Sequence, residues 1–139
     1  MTAIKLFFGS LVVTLNLLQG LKYEKHGIKA IEKFIETSVY AITHEPNSCL
    51  AIKTTFEMAI DDPEVQKIIK ADSNFTYNLI LQLVENAIEK NEIAISNDAK
   101  MLTDYIINNF TGWHESYIIY KDKERIEKMA KFLLTQIKS

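Results

Sequence analysis

Residues 96–139, SNDAKMLTDYIINNFTGWHESYIIYKDKERIEKMAKFLLTQIKS, decide the fold. At about 100° per residue, Leu102, Ile106, Phe110, Trp113, Tyr117 and Tyr120 share one stripe of a helix spanning Met101 to Tyr120. Met101, Tyr105, Gly112 and Ile119 share an adjoining stripe. Together they cover roughly half the circumference, more than the ~100° with which a surface helix covers a single core. Such width predicts two contacts, one with the chain's own core and one with a partner. After the charged break Lys121-Asp122-Lys123-Glu124, a second helix carries Ile126, Met129, Ala130, Leu133, Leu134 and Ile137. That is the i, i+3, i+4, i+7 spacing of one apolar face, continued for another turn. Phe132 falls off this face and is assigned to a partner.

Toward the N-terminus the pattern stays helical. Pro63 follows Asp61-Asp62 and precedes Glu64, which predicts an aspartate cap, proline in the first turn and an acid near the positive end of the helix. Val65, Ile68 and Ile69 belong to that helix, and Ala71–Asn74 reads as a kink or short loop. From Phe75 to Asn91, Leu79, Ile80, Leu83, Val84, Ala87 and Ile88 form the next apolar strip. Lys90–Ile95 reads as a loop, with Ser96 or Asn97 capping the long helix. An earlier helix spans His26 to His44, with Ile28, Ile31, Phe34, Ile35, Val39 and Ile42 inward and Lys29, Glu32, Lys33 and Glu36 outward. Glu45-Pro46-Asn47 ends it, because proline disfavours helix in the residue before it. Cys49 to Ile60 is a further short helix, with Leu50, Ile52, Phe56, Met58 and Ala59 apolar.

Residues 1–21, MTAIKLFFGSLVVTLNLLQGL, carry two readings. Lys5 before an apolar run has the order of a signal peptide or anchor. Thr14 and Asn16 interrupt the run, however, and no small-x-small cleavage site precedes Lys22. The run also falls short of the ~20 apolar residues of a membrane-spanning helix. A buried first helix, with Leu11, Leu15 and Leu18 on one face, fits better. The fold class expected is all-α, a bundle of six or seven helices in one domain over residues 1–139.

The run Asp98–Tyr120, with Asn109-Phe110-Thr111-Gly112-Trp113-His114 at its middle, followed by Arg125–Leu134, resembles the C-terminal end of TetR-family (tetracycline-repressor-like) regulators. Phe110-Thr111-Gly112 in the penultimate helix, with Leu133-Leu134 near the chain end, is similar to the butyrolactone-receptor branch. The resemblance extends from about Gly27 to the end. It implies that the last two helices pair with their copies in a second subunit, and that the preceding helices enclose a pocket for a small effector. It further implies a transcription regulator in the cytoplasm, acting as a homodimer. In that family a helix-turn-helix domain ends near an aromatic-Phe-Gly-Ser-Lys string. Phe7-Phe8-Gly9-Ser10 echoes its end, but Leu11 and Val12 follow where charged residues belong. The nine residues before Ser10 leave no room for a recognition helix and its supporting helix. The sequence as it stands is therefore expected not to bind an operator. A full-length paralogue becomes an expected second partner, with which this chain would form a one-headed, poorly binding heterodimer.

Charge agrees: 16 Lys and Arg against 18 Asp and Glu give a formal net charge of −2. Direct nucleic-acid binding rests largely on basic side chains neutralising phosphates, and no membrane contact is expected either. A single cysteine excludes an internal disulfide and a cysteine-rich zinc site. His26, His44 and His114 are far apart and lack an i, i+4 pair, and the adjacent His114 and Glu115 diverge by about 100° on a helix. No nucleophile elbow and no glycine-rich phosphate loop occurs. No enzymatic activity, cofactor or metal is expected.

Two sets of candidate residues remain. Trp113, Phe110, Tyr117, His114, Phe56 and Tyr77, with Phe34 nearby, are assigned to a hydrophobic or amphipathic effector, since ligand pockets are largely apolar with a few placed polar groups. Trp113 is the foremost of them. Met101, Tyr105, Gly112, Ile119 and Phe132 are assigned to the dimer interface. Glycine inside a helix costs about 1 kcal/mol relative to alanine, and a close helix–helix approach at Gly112 is the expected reason for it.

Overall fold

The computed structural model describes residues 27–44, 57–58, 60–93 and 98–138, and four helices are delimited within them: α1 (Gly27–His44), α2 (Pro63–Glu89), α3 (Ala99–Tyr120) and α4 (Lys123–Ile137). The helix expected over residues 1–21, the Glu45-Pro46-Asn47 stop and most of the Cys49–Ile60 segment lie outside the described residues. Of that last segment, residues 57, 58 and 60 are helical. The architecture is all-α, with four delimited helices rather than six or seven.

α1 forms from its periodicity. Ile31, Phe34, Ile35, Val39 and Ile42 are buried and Ile28 packs at their edge. Each such side chain contributes about 1.5–3 kcal/mol on leaving water, so one apolar face outweighs the modest helix propensity of its β-branched residues. α2 begins as its sequence predicts. The Asp62 Oδ1 accepts the Glu64 backbone N–H at 3.0 Å and that of Val65 at 3.3 Å, with Pro63 in the first turn. The short loop that Ala71–Asn74 allowed does not form, and the two helices read there are one continuous helix to Glu89. No glycine or proline lies between Pro63 and Lys90, and polar residues alone do not interrupt the hydrogen-bond ladder. The second half of α2 enters the main core cluster, through Leu79, Ile80, Leu83, Val84 and Ala87, while Val65 in its first turn is buried apart from that cluster.

The cap of α3 also differs from expectation. Asp98, not Ser96 or Asn97, accepts the Met101 N–H at 3.0 Å. A short tight turn joins α3 to α4. Lys121 takes a left-handed conformation at φ 52°, its N–H donates to the Tyr117 carbonyl at 2.9 Å, and the Asp122 carboxylate accepts the Arg125 N–H at 3.1 Å. α4 then buries Ile126, Ala130, Leu133 and Ile137, the stripe its spacing predicts.

α1 and α3 form the centre of the bundle, each packing on all three other helices. The start of α1 lies hard against α2. A Cβ at Gly27 would stand 2.6 Å from the Leu83 carbonyl oxygen and 2.8 Å from the Ala87 nitrogen. At the end of α4, Lys138 makes an isolated antiparallel bridge with Ile93, and its ammonium lies 3.2 Å from the Glu32 carboxylate of α1. No helix among the described residues is long and apolar enough to cross a membrane.

Candidate functional site

α3 presents two different surfaces, and the assigned residues divide between them. On the inner surface Leu102, Ile106 and Trp113 are buried, and Phe110 and Tyr117 pack against the core at its margin. Phe34 of α1 meets Phe110 edge-on, with centroids 4.8 Å apart, and Phe110 meets Trp113 edge-on at 5.2 Å. Edge-to-face geometry sets the positive ring edge against a neighbour's negative face and adds about 0.5–1.5 kcal/mol per pair beyond area burial. Trp113 is only 2% exposed. Three of the aromatic residues singled out in the sequence therefore form one cluster between α1 and α3.

Tyr117 extends this cluster toward the end of α1. Its hydroxyl donates to the Thr43 carbonyl at 3.2 Å, satisfying one of the last carbonyls of α1, which have no partner within their own helix. The Lys121 ammonium lies 5.2 Å from the same ring's centroid. His114 is half-buried beside Trp113 in sequence, and burial lowers its imidazole to about 4 from the ordinary 6.5. At neutral pH it is uncharged and offers one donor and one acceptor. The cluster is thus apolar and aromatic, with the Tyr117 hydroxyl at its polar edge and the neutral imidazole of His114 next to Trp113 in sequence.

Of the other two assigned residues, Phe56 lies outside the described residues. Tyr77 of α2 is half-buried, and its phenol is raised by desolvation first and then by Asp104, Asp98 and Glu85. Asp98 and Asp104 belong to the start of α3 and Glu85 to α2 itself. Tyr120, expected on the inner stripe, is exposed, since α3 ends at that residue. Its ring carries the Arg125 guanidinium 4.3 Å from its centroid.

The outer surface holds the other set. Met101 is 64% exposed, Ile119 60% and Phe132 of α4 63%, with Tyr105 also exposed. Gly112 lies among them, and a Cβ built on it meets no atom within 4 Å. Among the described residues, the close approach expected at Gly112 does not occur. It occurs at Gly27, which sequence reading had not singled out. Nothing local marks Gly27, because the clashing atoms belong to residues 56 and 60 positions later.

The described region corresponds closely to one protein family. A family model described as tetracyclin repressor-like, C-terminal domain, matches residues 27–133. No curated protein and no solved structure matches the chain.

Proposed function

The chain belongs to the tetracyclin repressor-like C-terminal domain family, and on that premise we propose that it is the effector-sensing, dimerising part of a transcription regulator. The family match over residues 27–133 carries this reading. It is supported by the division of α3 into a buried aromatic side and an exposed apolar side. The effector is a hydrophobic or amphipathic small molecule held near Phe110, Trp113, Tyr117 and His114, between α1 and α3. A neutral imidazole there places no charge against an uncharged ligand. The Phe110-Thr111-Gly112 step supports a place near the butyrolactone-receptor branch. The partner is a second copy, covering Met101, Tyr105, Gly112, Ile119 and Phe132. Burying those side chains would supply the contact their exposure leaves unmade, and a cytoplasmic location goes with such a role.

In a regulator of this kind an effector acts through its differential affinity for two arrangements of the dimer. Tyr117 is well placed for that coupling, because it ties α1 to the last turn of α3 beside the exposed face. Trp113 is the sole tryptophan, so its fluorescence reports the proposed site directly. Titration with a panel of uncharged amphipathic compounds, lactones included, is expected to shift Trp113 emission saturably for at least one class. The shift should be lost in Phe110→Ala. Saturable binding, seen by calorimetry, that leaves Trp113 emission unchanged would move the site elsewhere.

A further inference from the structure

The two ends of α4 are held in different ways. At its far end Ile137 is fully buried, the Lys138 backbone bridges Ile93, and the Lys138 ammonium lies 3.2 Å from the Glu32 carboxylate. Its start hangs from the turn at Lys121. That residue is held at φ 52°, a left-handed conformation that brings a Cβ too close to the following carbonyl oxygen. The first backbone bond of α4, from the Ile126 N–H to the Asp122 carbonyl, is stretched to 3.4 Å, against a usual length of about 2.9–3.0 Å. The turn is strained on one side and weakly bonded on the other.

Tyr117 opposes that strain at three points. Its carbonyl accepts the Lys121 N–H at 2.9 Å, and its ring lies 5.2 Å from the Lys121 ammonium. Both contacts are local to the turn. The third crosses the bundle, where the hydroxyl donates to the Thr43 carbonyl of α1 at 3.2 Å. Thr43 is itself braced, because its Oγ donates to the Val39 carbonyl at 2.9 Å. The hydroxyl thus ties the turn to a fixed point on another helix. Taking the hydroxyl away deprives a part-buried carbonyl of this donor, and such a carbonyl at a helix end has no partner within its own helix.

We propose that the Tyr117 hydroxyl is a latch, holding the strained Lys121 turn and the start of α4 to the end of α1. Separation of α1 from α3 breaks this bond, relaxes the turn and loosens the first turn of α4, while the far end stays clasped by Lys138. The latch stands on this geometry. Its use in sensing rests on the function proposed above, since a molecule entering between α1 and α3 beside Trp113 acts on the same joint.

Residue-resolved hydrogen exchange of the full chain tests it, because exchange reports local opening element by element. Tyr117→Phe removes only the hydroxyl. It should speed exchange of the Lys121 and Arg125 amides at least tenfold and leave those of Leu134 and Ile137 unchanged. Lys121→Gly removes the strain that the latch opposes. Adding Tyr117→Phe to Lys121→Gly should therefore speed the same amides less than threefold. Acceleration confined to the end of α1 would make Tyr117 a cap of that helix alone and overturn the latch. Equal acceleration in both backgrounds, acceleration spread evenly over all four helices, or none at all would overturn it too. Each of those results leaves the sensing function standing, since that is read separately from Trp113 emission.

Discussion

A methyl group added at Gly27 would meet the Leu83 carbonyl oxygen at 2.6 Å, whereas one added at Gly112 would meet no atom of the described residues within 4 Å. Both glycines are helical, Gly27 at the start of α1 and Gly112 in the interior of α3, where glycine costs about 1 kcal/mol relative to alanine. What differs is who needs them. Gly27 allows α1 to rest on the backbone of α2, a constraint internal to the fold. Gly112 lies on an exposed stripe with Met101, Tyr105 and Ile119, and its cost to the helix has no return among the described residues. A glycine without an intramolecular reason directs attention to an intermolecular one.

The contrast breaks most easily at Gly27. Gly27→Ala forces α1 away from α2, because the obstructing atoms are backbone and have no rotamer to yield. The expected loss is about 3 kcal/mol, at the upper end of the usual overpacking cost, read as a lower urea midpoint at unchanged slope. An unaltered midpoint would mean that the close contact is not a constraint.

His114 gives a pH-dependent test of the inner side of α3. In the unfolded chain its imidazole titrates near the ordinary 6.5, and in the folded chain near 4. Above pH 6.5 it is neutral in both states and contributes nothing. As pH falls below 6.5 the unfolded chain takes up a proton that the folded chain refuses, so stability falls until about pH 4. The full loss is of the order of 3 kcal/mol. His114→Gln should flatten that part of the stability–pH curve, and a slope identical in the variant would assign it to other groups.

Gly112→Ala should act in the opposite sense to Gly27→Ala. The isolated chain gains about 0.5–1 kcal/mol from helix propensity, measured in dilute solution, while dimerisation weakens. Lys121 sharpens the comparison from the other side, being a non-glycine residue held at φ 52°. The left-handed conformation costs about 1–2 kcal/mol outside glycine. Part of that returns in Lys121→Gly, offset by the greater freedom of glycine when unfolded. The net gain expected is about 0.5 kcal/mol, seen as a small rise in Tm.

Periodicity made the faces of α1 and α4 legible. Ile31, Phe34, Ile35, Val39 and Ile42, and likewise Ile126, Ala130, Leu133 and Ile137, sit inward where a 3.6-residue repeat places them. The start of α2 was legible because Asp62 and Pro63 act on their immediate neighbours. Its continuity through Ala71–Asn74 was not, since polar residues are compatible with either helix or loop and tertiary packing decides. The aromatic set was legible in part. Phe110 and Trp113 are three residues apart on one helix and meet for that reason, but the Tyr117 hydroxyl finds Thr43 across 74 residues. Where Tyr77 falls along α3 was not legible, because the register between α2 and α3 is not written in either helix alone.

The most direct measurement is native mass spectrometry of the purified chain over a range of concentrations. A species at twice the 16.0 kDa chain mass, carrying an additional small molecule or accepting one on titration, is the predicted result. A species that stays at the single-chain mass and binds nothing would contradict both the sensing and the dimerising role.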